Sequence, residues 1–495
     1  MSHNSARFLE RILIFILLFF PPFLLLSPQP DNDTYWLIRM GEYISRYGIP
    51  ATEPLSIHTG LAFYPQQWLS SLVFYFIYKA AGFWGIYFLL LSVYLIITYL
   101  IYRFALLLSN GNKPVALSIA VACSLSLFTG MHARPQIFSY LLFLWELILL
   151  EKFVMHRQAT KKTYLYALGL MGVSFLLINL HAALWLMFFL LLLPYIFEGF
   201  KKIPIPSWLP KPEGYGTGKI LFILLLCFLA GLFNPQGITS MGYIFKSYGN
   251  RMINAAVSEM KSPDFKEGLG IIVFIIYLTL ISAYFIIKGR TKLRYILLTV
   301  GMAYLGLSSV RNLPLFIITA YPLLAYYAKD VKLPVKKKTA ALLSKKWPQI
   351  IAVSLIILVM GALVIVKASQ PDSIDSFTPI GAVAYIKKNL DTEKMRIFND
   401  YNSGGYLAFN YIRTFIDSRA EVYTKRLNQK ADILKDYFNI YGGEVYYKDI
   451  FKKYRLTHAL VYKKLLINTL LKRDPDFVVL YRDKEYVLYE YRGRE

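Results

Sequence analysis

The chain has 495 residues, 56% of them hydrophobic and 16% aromatic, and only 17% charged. A soluble globular protein is about 45–50% apolar and about 25% charged, so this composition excludes a wholly soluble fold. The net charge of +25 would suggest nucleic acid in a soluble protein. In a membrane protein it is the Lys and Arg excess of cytoplasmic loops, and no nucleic-acid partner is expected.

Taken in chain order, the first apolar run is Ile12 to Leu26, followed by Pro28-Gln29-Pro30. It lacks a small-residue cleavage site and reads as a retained first span rather than a signal peptide. Apolar runs near the span length of about 20 residues then recur as far as Lys367. Basic clusters interrupt them at Arg7/Arg11, Arg103/Lys113, Arg157/Lys161/Lys162, Lys201/Lys202/Lys211, Lys288 to Arg294, and Lys329 to Lys346. Between the later clusters lie short polar motifs: His132-Ala133-Arg134-Pro135, Asn179-Leu180-His181, Asn234-Pro235-Gln236-Gly237 and Arg311-Asn312. By the positive-inside rule the clusters are cytoplasmic and the motifs face outward.

Trp68 to Lys79 tests that scheme. It is apolar, but at about a dozen residues it is short for a span, and counting it would invert everything downstream. It is expected as a helix lying in the outer interface. The expected fold is therefore an α-helical polytopic membrane protein with about 11 transmembrane helices over residues 1–368. Its extracytoplasmic loops are 28–82 and 234–268, and its N-terminus is cytoplasmic. From Pro371 the pattern changes to mixed charge and short alternating stretches: Ala459 to Tyr462, Phe477 to Tyr481 and Tyr486 to Tyr489. With helical patterns at Ile380–Asn389 and Gln429–Tyr437, residues 369–495 are expected to form a small extracytoplasmic α/β domain. Cys123 and Cys227 both lie inside apolar runs. No disulfide framework and no thiolate metal site is expected.

The first outer loop opens with Asp31-Asn32-Asp33-Thr34-Tyr35-Trp36. Two carboxylates one residue apart can share a divalent cation such as Mg²⁺ or Mn²⁺, or one can act as a general base. Asp33 is equally a good helix N-cap before the amphipathic Trp36–Tyr47, which would leave Asp31 free. Arg134, beside His132, and Arg311 stand at outer ends of spans, where a guanidinium must pair, reach water or bind an anion such as phosphate. Asn179, His181 and Glu259 join them on the same face. Together they fit a lipid phosphate whose tail lies between helices.

This arrangement resembles the C-type (GT-C) glycosyltransferases, and more narrowly a poorly characterised bacterial family of polytopic membrane proteins. The resemblance rests on Asp31 to Trp36 with Gly41-Glu42, on Gln67-Trp68-Leu69, Arg134-Pro135-Gln136, Asn179-Leu180-His181, Asn234 to Gly237, Glu259 and Arg311. In the tail it rests on Asn399-Asp400-Tyr401, Gly404 to Leu407 and Ile416 to Arg419. It implies a bacterial inner-membrane enzyme that moves a sugar from a polyprenyl-phosphate-linked donor to a glycan, lipid or protein acceptor. Asp31 or Asp33 would serve as base or metal ligand. The narrower pattern carries His at Arg39 and Glu at Gln67, so a carboxylate is missing at Gln67. Gly404-Gly405 and Asp417-Ser418-Arg419 read either as a sugar-binding surface or as a turn and a buried Asp–Arg pair. A lipid or solute transporter and a non-catalytic scaffold for envelope assembly are the alternatives from other classes.

Overall fold

The structure, a computed structural model, describes residues 3–27, 29–127, 130–156, 161–207, 209–243, 245, 249, 251–266, 268–286, 291–331 and 378–493. In chain order the main helices are α1 (His3–Leu25), α2 (Asn32–Tyr47), α3 (Trp68–Leu108), α4 (Lys113–Ser126), α5 (Gln136–Met155) and α6 (Lys161–His181). They continue with α7 (Trp185–Gly199), α8 (Gly218–Ala230), α9 (Gly268–Ile286), α10 (Leu293–Ser308) and α11 (Leu313–Tyr327). The tail contains α12 (Ile380–Asn389), β1 (Ile397–Asn399), α13 (Gly404–Phe409), α14 (Ile433–Gly442) and α15 (Tyr447–Tyr454). It ends with β2 (His458–Tyr462), α16 (Leu466–Arg473), β3 (Phe477–Arg482) and β4 (Tyr486–Tyr491). The chain divides into two compact units.

The helical unit holds α1, α3 from Tyr87, and α4 to α11. Its helices turn large apolar side chains outward: Phe222 is 62% exposed and Phe274 51%. Helices apolar on every face suit a lipid solvent, not water. Two stretches, Trp68–Leu108 and Lys161–Gly199, are long and apolar enough to cross a membrane. Ile14–Leu25, Lys113–Ser126, Gly218–Ala230 and Leu293–Ser308 are shorter apolar helices. The expected span ending near Lys367 lies outside the described residues. Within Lys161–Gly199 the helix breaks at His181 (φ −159°, ψ 73°) and resumes after a short 3₁₀ turn, where the polar motif separates two expected spans.

Arg294, at the start of α10, is fully buried and held by carboxylates from three other segments. Its Nε donates to Glu151 of α5 at 2.8 Å and its Nη2 to the other Glu151 oxygen at 3.1 Å. Its backbone N–H donates to Glu198 of α7 at 2.8 Å, and Glu213 lies 3.5 Å from Nη1. Tyr195 donates to Glu151 at 3.1 Å, and Tyr295 stacks under the guanidinium at 4.8 Å. A charge this buried is tolerated only with such pairing, and removing one partner costs about 3–5 kcal/mol. The cluster ties α5, α7, α10 and the 200–217 connection at one end of the helices.

The mixed unit gathers residues 29–86, 238–256 and the described tail. The first outer loop and 238–256 therefore belong to the same compact body as the tail. α3 is broken at Ala81 (φ −142°) and Gly82 (φ 60°). The expected short segment is thus set apart from the helix that follows, and the positive φ at 82 is one that glycine alone adopts without strain. Backbone pairing joins loop to tail: Ile57 N donates to Thr414 O at 2.9 Å, Thr414 N to Leu55 O at 3.3 Å, and Ala62 N to Asn428 O at 3.1 Å.

The tail sheet has the order β1-β2-β4-β3, with β1 parallel to β2 and the other two pairings antiparallel. Ala382, Val383 and Ile386 of α12 pack with Ile397, Leu460 and Leu488. Phe398, alternating to the other face, meets Tyr437 of α14 and Phe451 of α15. Both faces are covered, as the alternating pattern predicts for a small α/β domain. α12 has the bounds expected of it. The next expected helix, Gln429–Tyr437, instead runs Ile433–Gly442, because Asp432 caps it by accepting from Lys435 N at 3.4 Å.

Candidate active site

Helix α2 starts two residues earlier than the capping expectation placed it. Asp31 is the N-cap: its backbone is extended (φ −75°, ψ 155°), Thr34 N donates to its carbonyl at 2.9 Å, and its carboxylate accepts from Asp33 N at 3.0 Å. The first turn closes on Asp31, so the expectation of Asp33 as cap and Asp31 as the free acid is reversed. Asp33 lies inside the first turn, at the positive end of the helix. Its Oδ1 accepts from Trp36 Nε1 at 3.0 Å and from the Ser418 hydroxyl. Two donors on one oxygen fix the orientation of the carboxylate.

Ser418 comes from the tail motif, and its neighbours explain how it reaches α2. Gly405 of α13 abuts the Asn32 carbonyl so closely that a Cβ would collide with it. Gly404-Gly405 open this helix, so the sequence expectation of a turn is corrected: glycine is needed for close approach to a neighbouring backbone, not for a positive φ. Tyr401 donates to Ser418 O at 2.7 Å. Arg419 forms the expected buried pair with Asp417 (Nε to Oδ1 2.9 Å), and Glu53 from the first loop adds a second carboxylate at 2.9 Å from Nη2. Asp417 also accepts from Tyr423 at 2.9 Å. His58 is structural: it is buried, its Nε2 lies 2.8 Å from Phe415 O, and burial pushes its pKa down to about 4.

In the helical unit an open pocket of about 410 Å³ collects four of the expected residues: His132, Arg134, Glu259 and Arg311. Gln136, Tyr140 and Pro314 complete its wall. Arg134 Nη1 donates to both Glu259 oxygens, at 2.9 and 3.0 Å. The Glu259 turn is held in place by Ser309 Oγ, which donates to Glu259 O at 2.8 Å, and by Val310 N, which donates to Lys261 O at 3.0 Å. Among the described residues Arg311 has no carboxylate partner. The lining thus carries two guanidiniums against one carboxylate, an arrangement that accepts a single-charged anion. Among the described residues Gln136 Oε1 is buried there without a hydrogen bond.

Asn179 and His181 do not line this pocket. Asn179 Nδ2 donates to Phe175 O at 2.8 Å and to Phe233 O at 3.0 Å, and the His181 Nδ1 is 2.9 Å from Ser139 Oγ. Both side chains are buried. Their geometry ties α6 to α5 and to the 231–237 turn. The residues that sequence reasoning missed are Trp36 and Ser418 as partners of Asp33, and Gln136 and Tyr140 in the pocket wall. Ser418 stands 385 positions from Asp33; only its place in a tail motif hinted at a role. Asp31 and Asp33 offer two carboxylates, the number through which a protein commonly holds Mg²⁺ beside waters and substrate phosphates. Among the described residues no group of three or more His, Cys, Asp or Glu comes together to hold one.

No protein-family model matches the sequence, and no curated protein does. Solved structures do. ArnT from Cupriavidus metallidurans bound to undecaprenyl phosphate is 11% identical, with a TM-score of 0.55 over 99% of this chain and 98% of that one. ArnT in the apo state gives 0.54 at 10% identity over the same shares. The oligosaccharyltransferase of Archaeoglobus fulgidus, tethered to an acceptor peptide containing the NVT sequon, gives 0.56 at 9% identity, over 91% of this chain and 69% of that one. At these identities the likeness is one of fold, that of the C-type (GT-C) glycosyltransferases.

Proposed function

We propose that this protein is a membrane glycosyltransferase that moves a sugar from a polyprenyl-phosphate-linked donor, such as an undecaprenyl-phosphate sugar, to an acceptor hydroxyl outside the cytoplasm. The observation that carries the reading is the Arg134/Arg311 pocket in a GT-C fold. Asp33, oriented by Trp36 and Ser418, takes the proton of the acceptor hydroxyl. The acceptor oxygen attacks the anomeric carbon with inversion, and the bond from that carbon to the phosphate oxygen breaks. The phosphate leaves with the electron pair, and Arg311 and Arg134 stabilise the charge that develops on it. Asp31, as the helix cap, holds the first turn that carries Asp33. The basic loops support an inner-membrane protein with a cytoplasmic N-terminus and an extracytoplasmic tail.

Asp31→Asn and Asp33→Asn, each assayed for transfer from a polyprenyl-phosphate sugar, test the role of the acids. Asp33→Asn is expected to lower kcat by about a hundredfold or more, the range of general-base catalysis, and Asp31→Asn to lower it less. If both transfer at the parent rate, the assignment is wrong.

One observation favours the transporter reading. Glu146 in α5 is fully buried, and among the described residues neither of its oxygens has a hydrogen bond. An ionisable group of this kind inside a helical bundle is what proton coupling uses. Glu146→Gln is expected to leave sugar transfer intact; its loss together with a pH-driven flux would favour transport.

A further inference from the structure

The mixed unit contains a second pocket, a solvent-open cleft with about 310 Å³ of empty space between its walls and the solvent. Its walls are aromatic: Trp36, Phe63, Tyr64, Trp68 and Tyr243 all line it. The turn from Tyr64 to Trp68 is closed by Gln66 N donating to Tyr64 O at 2.8 Å and Trp68 N to Pro65 O at 3.1 Å. That turn brings the amides of Gln66 and Gln67 into the lining. Ser71 follows, on the segment against which Gly41 of α2 packs so closely that a Cβ would collide with the Ser71 carbonyl. The absence of a side chain at 41 is what brings Ser71 up to α2.

Two polar groups in this lining have no hydrogen-bond partner among the described residues: Arg419 Nη1 and Ser71 Oγ. Their residues are 3% and 1% exposed. Leaving such groups unpaired costs about 1–3 kcal/mol each, so they are candidates for bonds to a ligand. The pocket's charge says which kind. Asp417 and Glu53 already surround Arg419, and Glu421 lines the pocket while accepting from Tyr243 at 3.0 Å. Three carboxylates against one guanidinium repel an anion. A neutral sugar ring suits every feature. Its C–H faces lie on Tyr64 or Trp68, and its hydroxyls accept from Arg419 and Ser71 and donate to Glu421 and the glutamine carbonyls.

We propose that this pocket binds a neutral saccharide unit, and that this saccharide is the acceptor. The second half rests on the transferase reading; the first does not. Trp36 links the two, since it lines the pocket and donates to Asp33 at 3.0 Å.

The test uses the full-length protein in a detergent without a sugar headgroup. Methyl glycosides of glucose, galactose, mannose and N-acetylglucosamine are titrated in, beside glucuronate and a short neutral peptide, with saturation-transfer NMR and tryptophan fluorescence as readouts. At least one neutral glycoside is expected to bind, in the range of about 1–10 mM for a single small ring. Tyr64→Ala and Gln66→Ala, both at half-buried positions, should each weaken it about fivefold, the order of one aromatic stack or one hydrogen bond. Tyr64→Phe should retain it, and Arg311→Ala should leave it unchanged. The proposal is overturned if no neutral glycoside binds, if glucuronate or the peptide binds more tightly, or if both alanine variants bind like the parent. No lipid donor is present in the titration, so it tests the pocket alone; when a polyprenyl-phosphate sugar is then added, binding without transfer counts against the enzyme reading alone, and transfer that does not depend on Tyr64 and Gln66 counts against the acceptor assignment alone.

Discussion

Two arginines of the helical unit meet opposite surroundings. Arg294 is fully buried, with Glu151, Glu198 and Glu213 around it and tyrosine rings at its faces. Arg311 is half-buried in an open pocket, beside an arginine whose charge a single glutamate answers. The residue type is the same, and the balance of charge around it differs. Where carboxylates outnumber the guanidinium, the arginine holds helices together; where guanidiniums outnumber the carboxylate, the pocket is short of one negative charge. The same contrast recurs between neighbours in the tail. Arg419 is enclosed by Asp417 and Glu53, whereas Ser418 spends its hydroxyl on Asp33.

Substitutions at four positions would break or sharpen this contrast. Arg294→Ala strands two buried carboxylates and is expected to cost about 3–5 kcal/mol, seen as a large drop in the thermal midpoint in micelles. The protein that remains folded should transfer at the parent rate. An unchanged midpoint would remove Arg294 as a structural lock. Arg311→Ala is expected to do the reverse. Unfolding should move by less than about 1 kcal/mol, since no buried carboxylate is stranded, while kcat/KM for the lipid donor falls about a hundredfold, the effect of losing a charge-assisted contact worth about 2–3 kcal/mol. Arg311→Lys should lie between, since a point charge cannot replace a bidentate fork.

Ser418→Ala removes one of two donors to Asp33 and should lower kcat about tenfold without unfolding the tail. Equal kcat in parent and variant would show that Trp36 alone orients the acid. The smallest effect on transfer is expected at Asp400, which is buried with one oxygen unpaired among the described residues; burial pushes its pKa from 3.8 up to about 7. The folded state binds that proton more tightly, so its contribution to stability is complete below pH 3.8 and is lost as pH rises to about 7. His58 has the opposite sign: burial lowers it from 6.5 to about 4, and stability is lost as pH falls through that window. Asp400→Asn should therefore gain on the parent in thermal midpoint as pH rises from about 4 to 7, with no further gain above. A constant difference across that range would show that Asp400 does not titrate there.

Part of the candidate site was legible in the sequence because single residues carry their own cost. An arginine next to a membrane span must find a partner, so Arg134 and Arg311 were marked by their position alone, and Glu259 by its place in an outer loop on the same face. Asn179 and His181 were marked by the same argument, and the structure places Asn179 on the carbonyls of Phe175 and Phe233 and His181 against Ser139 of α5. A polar group at a helix end satisfies a neighbour as readily as it binds a ligand, and sequence does not distinguish the two. The order of Asp31 and Asp33 was misread for a similar reason. Either can cap a helix, and only the turn closed by Thr34 on Asp31 decides which one does.

Composition and periodicity determined that the chain is largely helical and apolar, and that its tail is a small α/β domain with three of its four strands in the expected places. Those properties are summed over many residues, or repeat every two or four positions, and need no knowledge of distant contacts. Tertiary structure alone decided that the first outer loop and the tail form one body, that Ser418 reaches Asp33, and that Arg419 and Ser71 come to line one aromatic pocket. The approach of Gly405 to Asn32 joins segments hundreds of residues apart, and that of Gly41 to Ser71 joins two parts of the first outer loop. A glycine's lack of a side chain is visible in the sequence. Which backbone fills the space it leaves is settled only when the chain folds.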